Sequence, residues 1–330
     1  MKAFTARRWL RGGHVQTVAS FLMSRRLRLP PPEERMIEVE PGVQVLCHCH
    51  WQADRAQVLT IIIVHGLEGS SDSQYMLGVT GKALAAGMNV IRYNQRNCGG
   101  TDALAPVLYH SGLSKDVEAV AREVVARDGV SRLALVGFSM GGNIVLKLAG
   151  EWGAQAPPQF RAVAAVCPAI DLATSADALH EPANRLYEQY FLWALGRRMR
   201  QKAKLFPDNF DTGRLRGIRS LREFDDKVTA YYCGFKDVAD YYDRASAVHT
   251  IGQIAVPALI LHAANDPFVR ITAETRRKIV SNPNITFVET EDGGHCAFIG
   301  RAAASANGKR GDSDDGYWAE LEVVNFLRRF

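Results

Sequence analysis

The chain has 330 residues, enough for one large α/β domain or two ordinary ones, and its 47% hydrophobic and 23% charged residues match a soluble globular protein. Its formal net charge of +5 gathers partly in three groups: Arg7, Arg8 and Arg11; Arg25, Arg26 and Arg28; and Arg197, Arg198, Arg200, Lys202 and Lys204. No aromatic ladder or nucleic-acid motif accompanies them, so they read as solvated faces and no nucleic-acid partner is expected.

Residues 1–30 mix arginines with Trp9, Leu10, Val15, Val18, Phe21, Leu22 and Met23, a spacing that predicts an amphipathic helix. Such a segment could touch a membrane surface, but packing onto the protein's own body is expected. Pro30-Pro31-Pro32 ends it. Two strands are predicted over 35–40 and 43–50. In the second, Cys47-His48-Cys49-His50 would put its cysteines on one face and its histidines on the other, poor geometry for one metal ion. Neither metal nor cofactor is expected.

The β-branched run 58–64 reads as a strand buried on both faces, the mark of a parallel sheet. A helix over 75–86, a strand over 89–93, a helix over 115–126 and strands at 133–136 and 162–167 continue an alternation that implies right-handed βαβ units. From 171 to 250 the rhythm breaks into a helical pattern rich in aromatics, predicted to be a cap inserted over the sheet. Strands at 258–262 and 286–290 and a last helix over 317–327 resume it. Residues 305–315 read as an exposed loop. The expected fold is thus a single α/β domain over 1–330 with a helical cap at 171–250.

The chemistry centres on Val136-Gly137-Phe138-Ser139-Met140-Gly141-Gly142, set between a strand and a helix. Glycine, serine, glycine at such a turn is the nucleophile elbow, where side chains two positions either side of the serine would collide. A serine hydroxyl needs a base and an orienting acid, which in this fold follow it in the order acid, then histidine. Asp266 lies just past the strand 258–262, and His295 follows Glu291-Asp292-Gly293-Gly294 past the strand 286–290. Asp171 is the alternative acid, and His262, inside a strand, is expected in the core. The amides of Met140 and of Leu67, in the loop His65-Gly66-Leu67-Glu68-Gly69, are the expected oxyanion donors. Leu67, Phe191 and Trp193 are expected to line a substrate pocket.

Four further stretches carry a family resemblance. Gly13-His14-Val15-Gln16-Thr17 resembles a "GHxQT" signature, and Arg96-Asn97-Cys98-Gly99-Gly100-Thr101 resembles "R-G-C-G-G-S", with Asn97 for glycine and Thr101 for serine. Phe224-Asp225-Asp226 with Thr229, Tyr241-Tyr242 and Ser246 resembles a segment leading out of a cap. Asn265-Asp266-Pro267-Phe268 resembles "DDPF", with the acid kept at Asp266. Together they resemble the YheT-like branch of the α/β-hydrolases (AB hydrolase family 4), across nearly the whole chain. The resemblance implies an α/β-hydrolase fold, a mostly parallel sheet flanked by helices with a small helical cap, and carboxylic-ester hydrolysis. The expectation is a serine esterase acting on short-to-medium acyl esters. Acyl transfer to an alcohol, a lipid-directed lipase and a catalytically silent binding protein are the alternatives. Gly13–Thr17 is expected to pack rather than to catalyse. The scattered cysteines, the lack of an apolar leader and the short apolar runs predict a cytoplasmic protein.

Overall fold

The computed structural model describes residues 3–23, 25, 27–301 and 315–330. The predicted loop at 305–315 therefore lies, except for Asp315, outside the described residues, as does Arg26.

Among the described residues, eight strands form one sheet in the order β1-β2-β4-β3-β5-β6-β7-β8. β1 (Glu33–Glu40) and β2 (Val43–His50) run antiparallel at one edge, and β2 pairs antiparallel with β4. From β4 (Asn89–Tyr93) through β3 (Thr60–Val64), β5 (Leu133–Phe138), β6 (Phe160–Val166), β7 (Ala258–Ala263) and β8 (Ile285–Thr290) every pairing is parallel. The runs β3, β4, β5 and β7 are buried at every position, because helices cover both faces.

On one face α3 (Ser114–Asp128), α4 (Met140–Trp152) and α9 (Ala273–Ser281) pack against Ile62, Leu135 and Ile260. On the other α2 (Gln74–Ala85) and α10 (Trp318–Leu327) pack against Ile61, Val136 and Leu259. Cys47 and Cys49 belong to the first core, while His48 reaches Ser71 Oγ at 3.1 Å, so the four residues of that run do not converge.

The N-terminal helix is shorter than its apolar spacing suggested. α1 covers only Gly13–Leu22, because Gly12 at φ 102° starts it and Met23 leaves it in extended backbone. Ahead of it Ala6 bridges Gly300, and the Arg7 amide donates to the Ile299 carbonyl at 3.3 Å.

Between β6 and β7 lie α5 (Leu172–Leu179), α6 (Arg185–Leu205), α7 (Leu221–Phe224) and α8 (Val238–Ala245), with a π-helical turn at Asp225–Ala230. Two cations expected on a solvated face instead fasten α6 to the sheet loops. Lys202 is fully buried and donates to Asn97 Oδ1 at 2.9 Å, to the Asp102 carbonyl at 2.8 Å and to the Ala105 carbonyl. Arg198 reaches Glu68 at 2.7 and 3.1 Å and Asp102 at 3.2 Å, and it caps the Asn97 carbonyl. Asn97 holds φ 66°, the left-handed region that asparagine tolerates best after glycine, so this exchange keeps the turn intact.

Candidate active site

Ser139 sits between β5 and α4 at φ 54°, ψ −120°, a strained backbone for a side-chain-bearing residue. The glycines around it are sterically required. A Cβ on Gly137 would collide with the Gly141 carbonyl, and one on Gly141 with the carbonyls of Val64 and His65. The elbow also lies where the strand order reverses around β3, the place at which open α/β sheets gather their sites.

The next two strand-end loops bring an acid and a base to it. His295 Nε2 lies 2.9 Å from Ser139 Oγ, and Nδ1 lies 2.7 Å from Asp266 Oδ2. The other carboxylate oxygen, Oδ1, accepts the amides of Phe268 at 3.1 Å and Val269 at 3.0 Å, which fixes the carboxylate plane. Burial disfavours the charge on Asp266, but His295 and the Val269 amide outweigh it and hold its pKa below the usual carboxylate value. Burial likewise pulls the imidazole down, yet the negative charge of the Asp266 carboxylate, and that of Cys296 when it is a thiolate, raise His295 well above its ordinary value. Phe268 covers the ring at a centroid distance of 4.4 Å. Asp171, the alternative acid, caps α5 by accepting the Thr174 amide at 3.0 Å. His262 is in the core, 3% exposed, with no partner for Nδ1 among the described residues.

The role of Gly13–Thr17 was not legible in the sequence, and the structure supplies one. Thr17 Oγ1 accepts the backbone amide of His295 at 2.9 Å and donates to the Gly13 carbonyl at 2.7 Å. Gln16, fully buried, donates to the carbonyls of Leu10 at 2.8 Å and Ile299 at 3.1 Å, and its Oε1 accepts the Ile299 amide at 2.8 Å. A Cβ on Gly13 would collide with the Asn265 carbonyl, and one on Gly294 with the Gly13 carbonyl. Helix α1 thus braces both the acid loop and the base loop. Asn265, standing where the family pattern has aspartate, accepts the Gly294 amide at 3.1 Å and donates to Asp292 at 2.7 Å.

The loop after β3 passes close to the elbow. His65 is buried and its Nδ1–H donates to the Gly66 carbonyl at 2.8 Å, while Nε2 accepts the Gln95 amide at 3.2 Å. Burial lowers it to about 4, so this imidazole stays neutral and shapes the turn. The Gly66 amide is taken by Tyr75 OH at 3.0 Å and the Glu68 amide by Tyr109 OH at 3.0 Å. Among the described residues nothing engages the Leu67 amide between them. Met140 opens α4, where a helix leaves its amides without internal partners.

A cavity of about 100 Å³ begins at Ser139, Met140 and Leu67 and runs past Leu172 of α5, Phe191 of α6 and Phe268. Its wall is polar at Asp225, whose carboxylate accepts Thr229 Oγ1 and Tyr242 OH, each at 2.8 Å. Burial pushes that carboxyl up to about 6. Leu67 and Phe191 stand where a pocket was expected, but Trp193 does not. It is 59% exposed on the outer side of α6, because two residues beyond Phe191 a helix has turned by more than half a circle.

Among the described residues, two groups of donor atoms lie close enough to share a cation: Cys167, His295 and Cys296, and Cys167, His262 and Asp266. Either would occupy His295, which reaches Ser139, or Asp266, which reaches His295, so ion binding there and use of the Ser139–His295–Asp266 chain exclude one another.

Residues 60–302 match the family described as alpha/beta hydrolase fold. The chain is 31% identical over 294 residues to "Putative esterase YheT" of Escherichia coli (strain K12), covering 87% of this chain and 84% of that one. It is 29% identical over 241 residues to phospholipase ABHD3 of Mus musculus and 28% identical over 278 residues to monoacylglycerol lipase of Saccharomyces cerevisiae. These matches cover 73% and 82% of this chain but 58% and 59% of those longer proteins. Among solved structures, the Pyrococcus furiosus esterase Pf2001 superposes with a TM-score of 0.57 at 16% identity, covering 91% of this chain and 92% of that one. Est1E from Butyrivibrio proteoclasticus does so with a TM-score of 0.55 at 16% identity, covering 90% and 98%. The structural likeness shows the fold, and the sequence match shows the lineage: the chain belongs to the α/β-hydrolases, in their YheT-like family.

Proposed function

We propose that this carboxylic ester hydrolase works through Ser139, His295 and Asp266 with an acyl-enzyme intermediate. The observation that carries the reading is the unbroken line from Asp266 Oδ2 to His295 Nδ1 at 2.7 Å and from His295 Nε2 to Ser139 Oγ at 2.9 Å. With Nδ1–H held by the aspartate, Nε2 is free to take the serine proton as Oγ attacks the ester carbonyl. The imidazolium then returns that proton to the leaving alcohol, and water, activated by the same nitrogen, releases the acid. Leu67 and Met140 offer their amides to the oxyanion, and loss of one such donor costs about 10²–10³ in rate.

The cavity of about 100 Å³, with Leu67, Phe191 and Phe268 in its wall, favours short-to-medium acyl chains. Six free thiols suit a reducing, cytoplasmic setting. No helix among the described residues is long and apolar enough to cross a membrane. The test is hydrolysis of p-nitrophenyl esters across a series of acyl lengths by wild type and Ser139→Ala. The variant should lose about 10⁶ in kcat, and a rate that survives it overturns the reading. A competing alcohol added to the same assay separates hydrolysis from acyl transfer by product.

A further inference from the structure

Twelve large hydrophobic side chains are exposed among the described residues, and half of them form one face. Val18, Phe21 and Leu22 project from α1, and Leu186, Tyr190 and Trp193 from α6. The two helices meet where the Phe21 and Tyr190 rings approach to 5.6 Å, and Tyr190 and Trp193 lie 6.3 Å apart. Phe21 and Leu22 are 70% and 71% exposed and Leu186 is 81% exposed. Contiguous apolar surface of this kind marks an interaction site.

The charge around this face narrows the partner. Arg185 and Arg197, next to Leu186 and over Trp193 on α6, are exposed. So is Arg11 just ahead of α1, where the Asp292 carboxylate accepts the neighbouring Gly12 amide at 3.2 Å. Among the described residues none of the three arginines is in an ion pair. The Arg197 guanidinium lies 5.1 Å from the centre of the Trp193 ring. Aromatic and aliphatic side chains interleaved with unpaired arginines suit the boundary of an anionic bilayer, where rings sit at headgroup depth and each cation meets a negative surface potential. A second copy of the chain fits poorly, since a two-fold contact would press the same arginines together.

We propose that the α1–α6 face is a membrane-docking surface that seats the cap on an anionic lipid bilayer. Helix α6 is then two-sided. Phe191 lines the cavity and Tyr187 packs on Phe268 at 5.2 Å, while Leu186, Tyr190 and Trp193 face lipid. His14 ties the helices together by a hydrogen bond to Tyr187 OH at 3.1 Å. A corollary, that ester substrates reach the cavity from the bilayer, rests on the esterase reading; docking itself does not.

The test is co-flotation of the full chain with vesicles of equal parts phosphatidylcholine and phosphatidylglycerol, with pure phosphatidylcholine in parallel. Wild type and Ser139→Ala should float with the anionic vesicles alike, so the result is independent of catalysis. Arg11→Gln with Arg197→Gln should weaken binding by about 5-fold per arginine. Phe21→Ser with Trp193→Ser should abolish flotation, whereas Met36→Ser, which removes an exposed side chain on β1, should not. These positions are exposed, so folding is preserved. Failure of wild type to float, flotation indifferent to both double variants, or a solution dimer dispersed by Phe21→Ser would each overturn the proposal.

Discussion

Replacing Thr17 by valine removes one oxygen and keeps the shape of the side chain. That oxygen accepts the His295 amide at 2.9 Å, in a region where Gly13, Gln16 and Gly294 pack without spare room. An amide left without a partner there costs about 1–3 kcal/mol. The loop can avoid the cost only by moving, and it carries the imidazole with it. A shift of about 1 Å in a reacting group costs on the order of 10² in rate. Thr17→Val should therefore lower kcat for a short p-nitrophenyl ester by about 10–100-fold with KM little changed, while Thr17→Ser restores most of the rate. Urea unfolding of the same samples separates the two effects, since a purely structural role would lower the midpoint without touching kcat per folded molecule. Wild-type kcat in Thr17→Val would refute the claim that α1 positions the base.

Three further outcomes are expected. Asp266→Asn should cost about 10⁴ in kcat by admitting the wrong imidazole tautomer, whereas Asp171→Asn should leave kcat near wild type and lower stability by about 1 kcal/mol through loss of the α5 cap; steady-state kinetics with thermal unfolding reads both. The raised pKa of His295 means that the neutral, working imidazole is lost on acidification at a pH above the ordinary histidine value of about 6.5. The pH profile of kcat/KM should therefore show its acid limb above that value, and a limb below it, or none, would contradict the assignment. Lys202→Met should loosen the cap by stranding the acceptors at Asn97, Asp102 and Ala105; proteolysis within 171–250 should then quicken, and unchanged resistance would deny Lys202 that role.

What the sequence made legible was local. The elbow glycines are dictated by backbone collisions within a few residues, and Asp266 follows the buried apolar run Ala258–Ala263, broken only by His262. The strand ahead of His295 carries a weaker signal, with Ile285, Phe287 and Val288 set among threonines and a glutamate. Distant contacts were hidden. Gln16 meets Ile299, and Thr17 meets the amide of His295, across some 280 positions, so the signature at Gly13–Thr17 could be noticed without its partner being known. The helices between β6 and β7 show a different kind of loss. The first half of helix α6 is apolar around much of its circumference, which conceals its facing and makes Trp193 look as fit for a pocket as Phe191. Yet its spacing held a signal. Tyr187, Phe191, Leu195, Arg198 and Lys202 share one side, the side that packs, while Leu186, Tyr190, Trp193 and Arg197 share the other. Reading Arg198 and Lys202 as solvated missed that a cation on the packed side of a helix must find buried acceptors, which the carbonyls after β4 provide.

The measurement that bears most directly on the central claim is labelling by a fluorophosphonate, read by intact mass and peptide mapping alongside ester hydrolysis. The account predicts a single adduct on Ser139, hydrolysis lost in step with labelling, no adduct in Ser139→Ala, and labelling slowed by orders of magnitude in His295→Ala. An unlabelled Ser139 in protein that hydrolyses esters, or an adduct that forms as fast without His295, would contradict it.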